Sequence, residues 1–186
     1  MTADFAAFSR WATGNLVDNR NRGIFAEWLV GQALGVIEAG DVRTEWDAAD
    51  LRFGDLRLEV KASGLSQAWN PLVPSTPRFG VPLQKRAWFA DTDDWVVYDP
   101  PRRSADIYVF CLHGSVPATN ENVANPASWS FWVVATSVIN RELGDQSSVG
   151  VSTLKQLAVP VSWSEIKNAV REAARTSGLV GYQAEP

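Results

Sequence analysis

The chain has one cysteine, one histidine and one methionine in 186 residues. Cys111 alone excludes an internal disulfide and any multi-cysteine zinc site. His113 alone excludes a histidine-rich metal centre and any chemistry that needs two imidazoles. Packing at a strand end is the expected fate of both. No apolar run approaches the length of a membrane span. The start, Met1-Thr2-Ala3-Asp4-Phe5, lacks a basic segment followed by an apolar core, so no secretory signal and a cytoplasmic location are expected. Positive charge is also short: 17 Lys and Arg against 21 Asp and Glu give a net charge of −4. That excludes coating of nucleic acid through bulk charge, but not a local basic cleft.

Tryptophan is abundant, with nine residues. Most are expected in the core, with one or two beside a cleft where they can stack on bases or sugars. The length suits a single domain over 1–186 with a full hydrophobic core.

The chemistry concentrates in residues 46–63, which read as a hairpin. Gly54-Asp55 is a two-residue turn signal, with glycine where positive φ is required. Phe53 then faces Leu56, Leu51 faces Leu58 and Asp50 faces Glu59. Side chains alternate along a strand, so Leu51, Phe53, Leu56, Leu58 and Val60 share one face. Asp50, Arg52, Arg57, Glu59 and Lys61 share the other. Directly opposed residues lie about 5 Å apart at Cβ. Two like charges at about 4 Å, with an effective dielectric near 20, repel by roughly 4 kcal/mol. A divalent cation removes that repulsion, and hard oxygen ligands suit Mg²⁺ or Mn²⁺. Lys61 offers an ammonium on the same side to a bound oxyanion or attacking water. An Asp followed by Glu-x-Lys on the next strand thus supplies metal ligands and a cation for phosphodiester chemistry. The competing reading is an ordinary amphipathic hairpin in which Arg52 and Arg57 neutralise Asp50 and Glu59 without a metal.

Around this hairpin, Asp4 to Thr13 reads as a short amphipathic helix with Phe5, Phe8 and Trp11 at a three-residue spacing. A second helix starts near Asn19 or Asn21 and runs to Ala39-Gly40, with Ile24, Phe25, Trp28, Leu29, Ala33, Val36 and Ile37 as its apolar face. Glu27 falls on the opposite stripe with Val30, Gly31 and Leu34. A carboxylate there suggests partial burial and calls for a partner. The partner is either Arg20, Arg22 or another basic residue, or Glu27 joins the hairpin carboxylates as a third acid. Gly31 would let the helix approach the sheet closely.

After Lys61 the chain is expected to turn irregular, with Ser63 and Gln67 fitting either a site rim or plain turn chemistry. Pro71 to Pro82 is expected to form a loop. Arg78, Lys85, Arg86, Arg102 and Arg103 follow, interleaved with Phe79, Trp88, Phe89 and Trp95. They are candidate phosphate contacts, or else a solvated basic surface. Asp91 to Asp94 reads as an exposed turn. Ala105 to Leu112 and Trp129 to Ala135 read as strands, with a polar loop from Pro117 to Pro126 between them. Thr136 to Leu143 reads as a helix ended by Gly144, Ser148 to Ser152 as a short strand and Leu154 to Leu157 as a helical turn. Ser162-Trp163-Ser164-Glu165 is a capping box for a last helix with Ile166, Val170 and Ala173 or Ala174 as its stripe, fraying from Thr176. The order of elements implies an α/β domain with a mixed sheet.

With Glu27 on a helix, Asp50 on one strand and Glu59-Val60-Lys61 on the next, the chain resembles the PD-(D/E)XK, or restriction-endonuclease-like, nuclease superfamily. Arg22-Gly23-Ile24-Phe25-Ala26-Glu27 is similar to that family's opening helix. Glu59-Val60-Lys61-Ala62-Ser63 and Gln67-Ala68-Trp69 are similar to a branch of small bacterial members, and the likeness spans most of the chain. One departure is Ala49, where the family's motif nominally has proline.

The resemblance implies a mixed central β-sheet flanked by helices. It implies Asp50 and Glu59 as metal ligands with Glu27 as auxiliary acid and ligand, Lys61 as catalytic cation, and Mg²⁺ or Mn²⁺ as cofactor. DNA would be the partner, contacted through Ser63, Gln67, Arg78, Lys85 and Arg86, and restriction or anti-phage defence the setting. Homodimers are common among such enzymes. The expected activity is hydrolysis of DNA phosphodiester bonds. Its rivals are a non-catalytic nucleic-acid- or partner-binding module on a nuclease-like fold, which the acidic balance favours, and a hydrolase for a small phosphoester.

Overall fold

Strand β2 (Leu56–Gly64) is the axis about which the other elements are laid. The computed structural model describes residues 3–45 and 47–179. Trp46, at the head of the hairpin stretch, and the residues beyond Leu179, expected to fray, lie outside it.

Helix α1 (Phe5–Thr13) is capped by Asp4, whose carboxylate accepts from the Ala7 N–H. None of its residues is buried, so the Phe5, Phe8 and Trp11 face meets solvent rather than a core. Helix α2 (Asn19–Leu34) starts at an Asp18 N-cap and ends at Gly35, whose φ of 73° is left-handed. It therefore stops short of the expected Ala39-Gly40, because the chain turns at Gly35 and folds back. Its buried surface is wider than the one face expected. Leu29 of that face is buried, Ile24, Phe25 and Ala33 are half-buried, and Trp28 is exposed. Ala26, Glu27, Val30, Gly31 and Leu34 are buried beside them. The absent side chain of Gly31 matters here, since a Cβ would collide with Ile37 and touch Leu51 of the neighbouring strand.

β1 (Leu51–Phe53) pairs antiparallel with β2 in the register Leu51↔Leu58, Phe53↔Leu56, around Gly54 at φ 58°. β2 does not become irregular after Lys61. It continues to Gly64 because β6 (Ile107–His113) pairs with it in parallel from Leu58↔Ile107 to Gly64↔His113. β7 (Trp129–Ala135) pairs antiparallel with β6, completing a mixed sheet of order β1-β2-β6-β7.

Residues 65–106 make the crossover between the parallel strands. β3 (Arg78–Gly80) lies within the expected proline loop and pairs with β8 (Ser148–Gly150). β4 (Gln84–Phe89) and β5 (Asp94–Arg102) form a separate antiparallel ribbon around the expected Asp91–Asp94 turn. Helix α3 (Asn120–Ala124), capped by Thr119, occupies the expected polar loop. Helices α4 (Thr136–Leu143), α5 (Val151–Leu157) and α6 (Ile166–Thr176) follow, the last preceded by a 3-10 turn holding the Ser162/Glu165 capping box.

The sheet has an apolar core on each face. On one, Leu58, Val60, Val109 and Phe131 meet Ala26, Val30 and Leu34 of α2 and Ile166, Val170 and Ala174 of α6. On the other, Tyr108, Phe110, Leu112 and Trp132 meet Phe79, Ile139, Val149 and Leu154. The register sets Glu59, Lys61 and Ser63 beside Tyr108, Phe110 and Leu112, on this second face. β2 thus contributes a polar margin there, next to an apolar floor. Cys111 and His113 are fully buried on β6, as expected for residues packing in a strand. The tryptophans are distributed differently from the expectation. Trp129 and Trp132 are core, whereas Trp11, Trp28, Trp69 and Trp95 are exposed. Among the described residues, no helix is long and apolar enough to cross a membrane.

Candidate active site

Asp50 immediately precedes β1, and its Oδ2 accepts a 2.7 Å hydrogen bond from the Val60 N–H. That bond draws the carboxylate onto the backbone between Glu59 and Lys61. The Lys61 ammonium donates to Glu59 Oε1, and both side chains are largely shielded. Burial, then the charge of Asp50, pushes the Glu59 carboxyl above its ordinary pKa, against the attraction of Lys61. Burial also raises Glu27, which further feels the charges of Asp50 and Lys61. Glu27, Asp50, Glu59 and Lys61 therefore form one electrostatic group, brought together by α2 and the hairpin.

The two arginines on the hairpin's polar face are engaged elsewhere. Arg57 donates to both carboxylate oxygens of Asp106, which also accepts from the Arg57 N–H. Arg52 lies 3.3 Å from Asp91 and 3.7 Å from Asp47. Neither forms an ion pair with Asp50 or Glu59, so the metal-free neutralisation suggested by sequence pattern is not the arrangement adopted.

Glu27 has a partner that its local sequence did not identify. Arg43 Nε donates to both Glu27 oxygens at 2.8 and 2.9 Å. The bond crosses from α2 to the irregular segment after Gly35, where no periodicity fixes a side chain's direction. Replacing Arg43 with alanine leaves a mostly buried carboxylate without its cation. Given the partial exposure of Arg43, the expected loss is about 1–2 kcal/mol. The sign follows from Glu27: its charged form is the costly one, so the deficit is full where Glu27 is ionised and shrinks as acid protonates it. Thermal melts of Arg43→Ala and wild type at pH 8 and pH 5 check this.

Among the described residues, no three or more His, Cys, Asp or Glu side chains are grouped to hold a metal ion. Glu27, held by Arg43, would join such a group only by leaving that bond. The pair Asp50 and Glu59 is a different case. Among the described residues, donors reach Asp50 Oδ2 and Glu59 Oε1, leaving Asp50 Oδ1 and Glu59 Oε2 for a ligand. Two carboxylates, with water and substrate phosphate completing the shell, is the usual way proteins hold Mg²⁺. The donor set fits that ion.

The five residues expected to contact nucleic acid lie on two parts of the fold. Ser63, Gln67 and Arg78 line a cavity of about 500 Å³ at the end of β2. Lys85 and Arg86 lie on the β4–β5 ribbon, where the Arg86 guanidinium sits 4.6 Å from the centre of the Trp95 ring. Arg102 covers Tyr98 in the same way at 4.3 Å. Arg103 is not a phosphate contact. It is buried and donates to the carbonyls of Val81, Gly144 and Gln146 and to Asn140 Oδ1. A second cavity, of about 450 Å³, is lined by Glu27, Arg43, Asp50 and Trp28. Arg22 and Trp69, which line the larger cavity, were not singled out as ligand contacts from sequence. An arginine inside a helix pattern and a tryptophan in a turn carry no local signal for that role. No protein-family model matches the chain, and no curated protein matches it.

Proposed function

We propose that the chain is a Mg²⁺- or Mn²⁺-dependent nuclease that hydrolyses DNA phosphodiester bonds on a restriction-endonuclease-like core. The observation that carries this reading is the Asp50 carboxylate held on the Val60 N–H, between Glu59 and Lys61, with both hairpin arginines paired elsewhere. A carboxylate pair with a cation beside it is what phosphodiester hydrolysis needs. When bound, the metal would supply Lewis acidity and an activated water. Asp50 and Glu59 would hold it. Lys61, anchored on Glu59 in the free protein, would turn its ammonium toward the charge developing on phosphorus. Glu27 would serve as an auxiliary acid at the cleft wall, oriented by Arg43. Ser63, Gln67 and Arg78 would contact the strand on one side of the scissile bond, and Lys85 and Arg86 would reach the duplex from the ribbon. Restriction or anti-phage defence is the setting that the family resemblance suggests.

The second reading is a non-catalytic binding module on the same fold. One observation favours it: Lys61 and Arg43 give Glu59 and Glu27 counter-charges from within the chain. A supercoiled plasmid separates the two. Nicking or linearisation with Mg²⁺ or Mn²⁺, absent in EDTA and absent with Glu59→Ala, is the result expected of the nuclease. Metal-independent DNA binding with no cleavage by wild type would favour the binding module.

A further inference from the structure

The cavity at the end of β2 is lined by two arginines, Arg22 and Arg78, and by no Asp or Glu, in a chain whose net charge is −4. Arg22 is 2% exposed, and burial lowers its pKa from the ordinary arginine value. A buried charge calls for a counter-charge or a full set of hydrogen bonds. Arg22 donates to the Ser66 carbonyl at 3.0 Å, to Gln67 Oε1 at 3.3 Å and to Asn19 Oδ1. These are three bonds for five N–H donors. Among the described residues, no carboxylate lies within ion-pair distance of it. Asp18, the acid whose charge acts on it most, caps α2 by accepting from the Arg20 and Asn21 N–H groups. Arg103 provides the contrast, since four acceptors satisfy it within the fold. Gly64 passes directly beneath the Arg22 guanidinium, where a Cβ would lie 2.7 Å from Nη1. At the rim stands Trp69, 75% exposed, with its indole open to a partner.

We propose that this cavity binds a single nucleotide of a nucleic-acid strand, with its phosphate between Arg22 and Arg78 and its base on Trp69. The inference deepens the nuclease reading and rests on it for where the nucleotide comes from. Ser63 follows Lys61 by two residues on the same face of β2, roughly 7 Å along the strand. The nucleotide held in the cavity therefore adjoins the one presented to Lys61. It is either the terminal nucleotide of a strand or an internal one drawn out of the duplex, and both present the same phosphate and base.

Calorimetric titration of the full chain in EDTA with deoxyadenosine 5′-monophosphate, deoxyadenosine and inorganic phosphate tests the pocket without any cleavage. The monophosphate is expected to bind at least tenfold more tightly than either fragment. Trp69→Ala, at an exposed position, is expected to weaken the monophosphate about tenfold or more, in line with the worth of a base stack, and to leave phosphate within twofold. Arg78→Gln is expected to weaken both. Equal affinity for monophosphate and phosphate, no binding at millimolar concentration, or an unchanged Trp69→Ala titration would overturn the proposal. Cleavage then identifies the source. A Trp69→Ala defect confined to linear DNA assigns a terminal nucleotide, an equal defect on closed circular DNA assigns an internal one, and no defect on either contradicts the pocket. If wild type cleaves nothing yet binds the monophosphate as described, the nuclease reading fails and the nucleotide site stands. If it cleaves but binds no monophosphate, only the nucleotide site fails.

Discussion

Lys61→Met is expected to lower metal-dependent plasmid cleavage by about 10²–10³-fold, the loss typical when one preorganised charge is removed from a transition state. Methionine keeps most of the stem and removes the ammonium, so the change isolates charge. The lysine lies on the margin of the sheet's second face, not in either apolar cluster, and its side chain keeps contact with solvent. Folding is therefore expected to survive, with a two-state melt lowered by a few degrees at pH 8, where the ionised Glu59 is left without its cation. Removing the cation also leaves Glu59 facing the charges of Asp50 and Glu27, which drives the Glu59 carboxyl further up. Steady-state cleavage rates and thermal melts on the same preparations check both parts. Cleavage within threefold of wild type would remove Lys61 from the chemistry.

Glu59→Gln is expected to abolish cleavage and, at pH 8, to raise the melting temperature. Burial and the Asp50 charge together make the ionised Glu59 costly in the folded chain. A folded carboxyl raised above its unfolded pKa binds a proton more tightly in the native state, so stability falls as pH rises between those two values. Above the folded value the whole penalty stays in force. The amide escapes it, so the gain is expected at pH 8 and is expected to vanish below the ordinary carboxylate range. A relief of about 1 kcal/mol corresponds to about 2–4 °C in a chain of this size. Glu59 must be ionised to ligate a cation, so proton and cation compete for it and wild-type Mn²⁺ affinity is expected to weaken as pH falls through the raised Glu59 pKa. A Glu59→Gln variant less stable than wild type at pH 8 would mean that the ion pair with Lys61 outweighs burial and Asp50.

The hairpin was legible because everything that fixes it is local. Gly54-Asp55 sets the turn, and the alternation of Leu56, Leu58 and Val60 with Arg57, Glu59 and Lys61 sets the faces. β6, β7, α4 and the Ser162/Glu165 capping box are legible for the same reason. In helix α2 the partial burial of Glu27 is legible from its apolar stripe, whereas the exposure of Trp28 is not. Both stripes of the helix are apolar, and only packing against the sheet and α6 decides how far round it is covered. The β4–β5 ribbon escaped notice because nearly all of β5 is exposed on both faces, so no burial pattern is imposed on it, and Pro100-Pro101 interrupts the strand signal. Arg102 and Arg103 are indistinguishable by type. Only the acceptors converging from Val81, Asn140, Gly144 and Gln146 turn one of them into a structural residue. Arg43 on Glu27 and Arg22 beneath the Trp69 rim are long-range placements of the same kind, set by how the chain returns on itself.

Mn²⁺ binding, followed by the disappearance of the free-ion electron paramagnetic resonance signal, bears on the carboxylate pair without relying on turnover. Wild type is expected to take up one ion per chain, and Asp50→Asn and Glu59→Gln are each expected to lose it. Uptake by both variants equal to wild type, or none by wild type at millimolar Mn²⁺, would contradict a shared cation between Asp50 and Glu59.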